Sequence, residues 1–222
     1  MRYLFPAILS FLIVPIFTHG AHAQARVIID HNTGVETNSV FRFKHVPSPA
    51  RDDAAAKAKV TLVIGRKDGD SAELSALTDG LFPGGADEPA ANFFFAAGTD
   101  GGRIRIDLES ITDIAQINTY SWHADTRGPQ IYNLFAADGS DPKFNAVPDS
   151  NTDPASCGWK LIATVDTRPS QGKPGGQYGV NVSDPSGSLG KYRYLLIDSL
   201  PSEWEDAFGN TFFSEIDVIA RR

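Results

Sequence analysis

The chain is poor in cysteine and in long apolar runs. Cys157 is the single cysteine among 222 residues, so no disulfide can form within the chain and the fold must depend on its apolar core. After the N-terminal segment, no apolar run reaches the roughly 20 residues that a membrane-spanning helix needs. The sequence therefore predicts no membrane span in the mature chain.

Basic residues are also few. The chain has 20 Lys and Arg residues against 27 Asp and Glu residues, which gives a formal net charge of -7. Nucleic acids and anionic lipid surfaces are bound through basic faces. The charge balance therefore predicts that neither is the main partner.

Several catalytic signatures are missing as well. The chain has no G-x-S-x-G elbow, no H-E-x-x-H zinc motif, no Cys/His zinc spacing and no G-K-[ST] phosphate loop. Acid pairs occur in ADEPA and SEWED, but both lie in runs rich in turn residues, where acids more often face solvent or bind calcium. We therefore expect a non-catalytic protein, with an enzyme whose site has no known signature as the remaining alternative.

The first 23 residues have the order of a secretory signal. Arg2 precedes an apolar stretch over residues 4–17, and Ala21-His22-Ala23 provides the small-x-small cleavage pattern. The sequence predicts cleavage near Ala23 and a secreted or periplasmic mature protein. Removal of Arg2 leaves 19 basic against 27 acidic residues.

Short runs that alternate apolar and polar residues recur throughout the remaining chain. Such runs indicate strands with one buried and one solvent-facing side, as in 103–108, where Ile104, Ile106 and Leu108 alternate with polar residues. The other predicted strands are 26–30, 40–44, 59–65, 113–122, 130–137, 159–165, 177–182, 191–197 and 212–220. With 20 Gly and 14 Pro between them, these runs predict an all-β antiparallel sandwich or barrel.

Two further segments have a different pattern. Residues 50–59 (ARDDAAAKAK) are rich in Ala, with Asp at the start and Lys at the end, which predicts a short helix. Residues 138–158 contain no alternating run and are expected to form a surface excursion between two strands.

Six motifs between residues 77 and 220 occur in a characteristic order. They are LTDG, GGRIRIDLESITDIAQINTYSW, RGPQIYNLFAADGS, GWKLIATV, KYRYLLID and FFSEIDVIA. In these motifs the chain resembles the discoidin, or coagulation-factor C-type, family. The resemblance implies a galactose-binding-like jelly-roll β-sandwich over 77–222, preceded by the signal peptide 1–23 and by an N-terminal extension, 24–76, packed on the sandwich. The chain departs from the family at Glu109, where Gly is usual, and in lacking a terminal cysteine pair.

The resemblance also implies a structural calcium ion where the Asp-Gly turn meets the last strand. Asp79 and Glu215 would supply carboxylate oxygens, and Asp87 in the following loop is a further candidate. Calcium takes six to eight oxygens from carboxylates and carbonyls, and the expected carbonyls are those around Leu77, Phe82 and Ser214. The alternative is that Asp79 only builds its own turn and that Glu215 faces solvent.

A candidate ligand surface lies in residues 121–132, where Trp122, His123 and Arg127 share one turn between two strands. Sugar-binding sites combine an aromatic face with charged and hydrogen-bonding side chains. Trp204 in the turn-rich run 201–210 adds a second aromatic candidate. The sequence therefore predicts a carbohydrate or glycoconjugate ligand, with a protein partner as the alternative. Trp122 as a core residue and Arg127 as an ion-pair partner are the structural alternatives.

Overall fold

The computed structural model of the protein describes residues 25–33 and 41–222; the predicted signal peptide lies outside this range. Every strand pairing in the described part is antiparallel and its only helices are short 3-10 turns, which confirms the predicted all-β jelly-roll fold. Its strands are β1 (Arg26–Asn32), β2 (Lys59–Ile64), β3 (Gly102–His123), β4 (Ile131–Ala137), β5 (Lys160–Asp166), β6 (Gly176–Ser183), β7 (Gly190–Ser199) and β8 (Glu215–Ala220). Short 3-10 helices span Leu74–Thr78, Pro89–Ala91 and Pro154–Cys157. No helix within the described ranges is long and apolar enough to cross a membrane.

Strand β3 is shared by the two halves of the sandwich. Its first part pairs with β2 on one side and with β7 on the other, while its second part pairs with β6 and β8. The register is interrupted between Asp107 and Thr112, and Glu109 there has a φ of 63°. One half thus has the order β2-β3-β7-β4-β5 and the other β1-β6-β3-β8. The two runs predicted at 103–108 and 113–122 are therefore one strand with an irregularity between them.

The main core lies between these two halves. It contains the inward-facing residues that the alternation predicted, among them Ile104, Ile106, Val180 and Ile216, all of which are fully buried. Strands β1 and β2 come from the N-terminal extension and pair with β6 and β3. The extension is therefore part of the sheet.

Two local predictions are wrong. Residues 51–57 form bends and turns instead of a helix, and residues 41–44 are not in a strand. The physical reason is contact with β8: the Ala54 N–H donates to the Val218 carbonyl at 2.8 Å, and the Asp53 side chain accepts from the N–H groups of Ala55 and Val218. These bonds hold the segment along β8, so its Ala-rich composition does not decide its structure.

The outer face of the first half is covered by residues 138–158. Phe144 from this excursion packs against Trp159 and Tyr194, with ring centroids 5.2 and 5.0 Å apart. Arg103, on the strand face predicted to be wet, is only 7% exposed. Its guanidinium binds Asp198 at 2.8 Å and donates to the carbonyls of Asp149 and Thr152 at 2.7 and 2.8 Å.

The outer face of the second half is covered by residues 41–58. Phe41 and Val46 pack on Tyr120 and Trp122, and the four side chains form a separate apolar cluster. Alternation places Glu215 and Asp217 on the polar side of β8, yet both side chains are fully buried, so the alternative in which Glu215 faces solvent is wrong.

Candidate ligand-binding site

The loops that join the strands at one end of the sandwich surround a cavity of about 230 Å³. Both ends of β3 lie here, because the loop 200–214 binds Gly101 through Asn210 and approaches Arg127 through Phe208. The cavity is lined by apolar rings and by charged side chains: Asp68, Asp70, Asp87, Pro89, Phe94, Phe95, Arg127 and Phe208. Loops held by a rigid sandwich are favourable places for ligand binding.

Asp87 lies next to two of the residues that the sequence analysis named, His123 and Arg127. Its Oδ1 is 3.3 Å from His123 Nε2, and its Oδ2 is 3.9 Å from Arg127 Nη2. The backbone of Asp87 has a φ of 55°, in the left-handed region that few non-glycine residues adopt. The Asp87 side chain is 44% exposed, so a ligand in the cavity can reach the carboxylate.

His123 lies behind Asp87 and is 4% exposed. The Asp125 N–H donates to His123 Nδ1 at 3.0 Å, so Nδ1 carries a lone pair and the ring hydrogen is on Nε2. Burial, followed by the charge of Arg127, lowers the pKa of His123, which favours the neutral ring. Nε2 is buried and makes no hydrogen bond, with the Asp87 carboxylate on its open side. His123 therefore contacts Asp87 but does not itself line the cavity.

Trp122 cannot stack on a ligand, and that prediction is wrong. Its side chain is fully buried, and its ring lies 5.8 Å from the ring of Phe41 in an edge-to-face arrangement. The covering segment 41–58, which does not resemble the discoidin motifs, is the reason. Phe208 supplies the aromatic face instead: it is 49% exposed, and the Arg127 guanidinium lies 5.8 Å from its ring centroid. The signal that could have identified Phe208 was its place in the same turn-rich run as Trp204.

Trp204 lines a second cavity, of about 320 Å³, together with other residues of the loop 201–210 and with residues 98–100. The side chain is 74% exposed. The loop is closed at its base by bonds from the N–H and hydroxyl of Ser202 to the Gly209 carbonyl, at 2.6 and 3.0 Å. Asn210 ties it to Thr99. The structure therefore brings His123 and Arg127 together with Asp87 and places Trp204 in a neighbouring cavity.

The structure does not bring together all three acids expected to hold calcium, which are Asp79, Asp87 and Glu215. Gly80 N–H donates to Glu215 Oε2 at 3.1 Å, and Glu215 Oε1 is buried without a hydrogen-bond partner. Burial, together with the charges of Asp217 and Asp79, raises the pKa of Glu215 to about 10. Asp79 accepts from the Leu81 N–H at 2.8 Å, as a turn-building Asp does. Asp87 is placed beside His123 and Arg127.

Two more acids extend this buried group beneath the covering segment. Tyr120 donates its hydroxyl to Asp217 Oδ2 at 3.1 Å, and the Ala50 N–H donates to the same oxygen. Burial and the nearby Asp53 raise the pKa of Asp217 to about 7. Across residues 25–33 and 41–222, no three His, Cys, Asp or Glu side chains are arranged to hold a metal ion.

Comparison with known proteins identifies the fold. No protein-family model and no curated protein matches the chain. Among solved structures, a fucolectin from the serum of Morone saxatilis (striped bass) is 13% identical, with a TM-score of 0.50, over 77% of this chain and 49% of that chain. A fucose-binding module of Streptococcus pneumoniae (11% identical, TM-score 0.49) covers 77% of this chain and 99% of its own.

A third structure, the family 32 carbohydrate-binding module of C. perfringens NanJ in complex with galactose, is 12% identical. It has a TM-score of 0.48 over 74% of this chain and 95% of that chain. The fucolectin likeness shows a shared fold, and these neighbours are carbohydrate-binding modules with the galactose-binding-like architecture. The resemblance to the discoidin family is thus supported at the level of the fold. The chain is an antiparallel jelly-roll β-sandwich of the galactose-binding-like type.

Proposed function

We propose that this protein is an exported, non-catalytic carbohydrate-binding module whose ligand enters the cavity beside Asp87, Arg127 and Phe208. One observation carries the proposal: a half-exposed aromatic ring lies next to a guanidinium and a carboxylate in a concave loop end. The apolar face of a pyranose can stack on Phe208, while Asp87 accepts hydrogen bonds from hydroxyl groups and Arg127 donates them.

The neighbouring structures agree with this ligand class. The striped bass protein is described as a lectin, and the C. perfringens module was solved with galactose. Since identity is low, we carry over only the class of ligand and no individual sugar. The residues that would bind the sugar are argued from this chain alone.

We further propose a structural calcium ion between the turn at Asp79 and the start of β8. Glu215 fits such an ion, because its fully buried carboxylate has one oxygen without a partner. Asp79 and the backbone carbonyls of Leu77, Phe82 and Ser214 would complete the ligand set, in keeping with the mixed oxygen shell that calcium prefers. The ion would supply positive charge to a carboxylate that burial otherwise keeps protonated. Its effect would be to hold the turn 77–82 against β8.

The proposed ligand site is tested by screening the mature protein on an array of neutral and charged glycans. The test variant is Phe208→Ala, and the matched control is Ile111→Ala, which removes a 58% exposed side chain at the bend of β3, away from the cavity. We expect specific binding by the wild type and by Ile111→Ala, reduced at least tenfold in Phe208→Ala. Circular dichroism of each variant checks that the fold is retained.

Two outcomes would contradict the proposal. The first is an array on which the folded wild type binds no glycan, with or without calcium. The second is glycan binding that Phe208→Ala and Asp87→Asn leave unchanged, since binding would then occur elsewhere on the molecule.

A further inference from the structure

We infer that the ligand is a sugar with free amino groups, and that carboxylates in the two loop-end cavities bind its ammonium groups. This inference rests on the proposed function, because it specifies the ligand of the same loops. Its basis is the charge of the cavity walls, which differs from that expected of a site for neutral sugars.

The first cavity has an excess of negative charge. Three carboxylates line it, from Asp68, Asp70 and Asp87, against one basic residue, Arg127. Arg127 is already shared between Asp87 and the face of Phe208. Two carboxylates therefore remain without a cationic partner among the residues that line the cavity, and an ammonium group would supply one.

His123 shows that the position of Asp87 is built and not incidental. The ring is 4% exposed, its Nδ1 accepts from the Asp125 N–H, and its Nε2 lies 3.3 Å from Asp87 Oδ1 without a hydrogen bond. The Asp87 carboxylate thus lies between a buried ring and Arg127, with 44% of its side chain exposed. A donor on the ligand can then bind Asp87 from the open side.

The second cavity has the same character without any basic group. Asp100, Glu203 and Asp206 line it beside Trp204, and none of the described residues around it is Lys, Arg or His. Glu203 Oε1 is buried and has no hydrogen-bond partner. The wall thus carries uncompensated negative charge next to an aromatic ring that is 74% exposed.

The basic side chains of the adjoining loop do not neutralise these walls. Lys67 binds Glu73 at 2.8 Å and the Ser71 carbonyl at 3.1 Å. Arg66 donates to the Ala97 carbonyl. Lys67 is therefore directed at its own loop and Arg66 at the segment before Gly98, and neither side chain lines either cavity.

The exposed rings favour an amino sugar over a flexible polyamine. Phe208 lines the first cavity and Trp204 the second, so each cavity has one exposed aromatic ring. A chain of pyranose rings can stack on both while its amino groups meet the carboxylates. A polyamine has no such face, so its binding would depend on charge alone.

The test compares a glucosamine oligosaccharide with the fully N-acetylated oligosaccharide of equal length, by isothermal titration calorimetry at low salt. The two differ in the charge of the nitrogen. We expect the free amine form to bind at least tenfold more tightly, with an advantage that shrinks as salt is added. Asp87→Asn and Asp206→Asn should each reduce that advantage several-fold, while Glu109→Gln, an exposed acid at the bend of β3, should leave it unchanged.

The remaining outcomes separate this inference from the proposed function. If neutral glycans bind in a manner that depends on Phe208 but free amines give no advantage, the inference is overturned and the proposed function stands. If spermidine binds as tightly as the glucosamine oligosaccharide, the cavities recognise charge alone and the inference is again overturned. Loss of the amine-specific binding in Trp204→Ala, with spermidine binding weak, would support it.

Discussion

The two outer faces of the sandwich are covered in contrasting ways. The excursion 138–158 covers Arg103, whose guanidinium has a carboxylate partner and three backbone carbonyl acceptors. The segment 41–58 covers Glu215 and Asp217, each of which has a carboxylate oxygen without a hydrogen bond. One covered face has its buried guanidinium paired with a carboxylate, and the other keeps carboxyl oxygens without hydrogen-bond partners.

The difference is between a buried guanidinium that is fully paired and buried carboxyl groups that are not. A buried charge is tolerated when it is paired and hydrogen-bonded, and it is costly otherwise. The Arg103 face therefore needs nothing further. The Glu215 face requires protons or a cation to be stable, which is why we place the proposed calcium ion there.

The largest expected effect comes from breaking the complete face. Arg103→Met should lower the free energy of unfolding by about 3–5 kcal/mol, since it leaves Asp198 and the carbonyls of the excursion without their donor. Urea denaturation measures the change. Arg168→Met is the control, because Arg168 pairs with Asp166 at an exposed position and should contribute less than about 1 kcal/mol. Equal losses in the two variants would remove the contrast between the faces.

The second prediction concerns the incomplete face. In chelator, the raised pKa of Glu215 means that the native state holds a proton that the unfolded state releases above pH 4.5, the ordinary pKa of a Glu carboxyl. Stability is then greatest below that pH and falls as pH rises towards about 10. Asp217 adds to the fall between 3.8 and about 7.

Glu215→Gln should remove the Glu215 part of this slope, because Gln is neutral at every pH. Thermal melting between pH 5 and pH 9, in buffers with an ionic strength of about 0.1 M, measures the slope. Calcium should raise the melting temperature of the wild type at high pH and have little effect on the variant. A slope that persists in Glu215→Gln would show that this carboxyl is not the group that titrates.

The smallest expected effect is at Asp53, where the covering segment meets β8. Asp53 Oδ1 accepts from the N–H groups of Ala55 and Val218, while Oδ2 is buried without a partner. Asp53→Asn keeps one oxygen acceptor and removes the charge next to Asp217. We expect a gain in stability at neutral pH of less than about 1 kcal/mol. The control is Asp52→Asn, at the exposed neighbouring position. A loss of stability in Asp53→Asn would show that the charge of Asp53 stabilises the segment.

The sequence predicts the strands well and their surroundings poorly. Alternation located the strands that form β1 to β8, because the two-residue period is a local property. It did not predict that Arg103 and Glu215 are buried, since the segments that cover them come from distant parts of the chain. The helix expected at 50–59 fails for the same reason, as Asp53 and Ala54 bind β8.

The proposed site includes two of the residues that the sequence analysis named, His123 and Arg127, but its exposed aromatic ring is Phe208 and not Trp122. His123 ends β3 and Arg127 follows four residues later, and both lie next to Asp87. The Trp122 side chain is buried beneath Phe41, so its ring does not face the cavity. Phe208 is far from Arg127 in the sequence, and its ring comes within 5.8 Å of the Arg127 guanidinium only in the folded protein. Local patterns locate a loop, and the tertiary fold decides which of its rings is exposed.

The shared strand β3 also has a consequence for the order of folding. Its partners range from Lys59 in β2 to Ala220 in β8, so most of its hydrogen bonds join residues far apart in sequence. Chains dominated by such contacts fold slowly. The first half lacks a strand until β7 has been synthesised, and the second half lacks one until β8 has been synthesised. A chain that carries an export signal at its other end would therefore still be unfolded, and able to pass through a translocation channel, while most of it is being made.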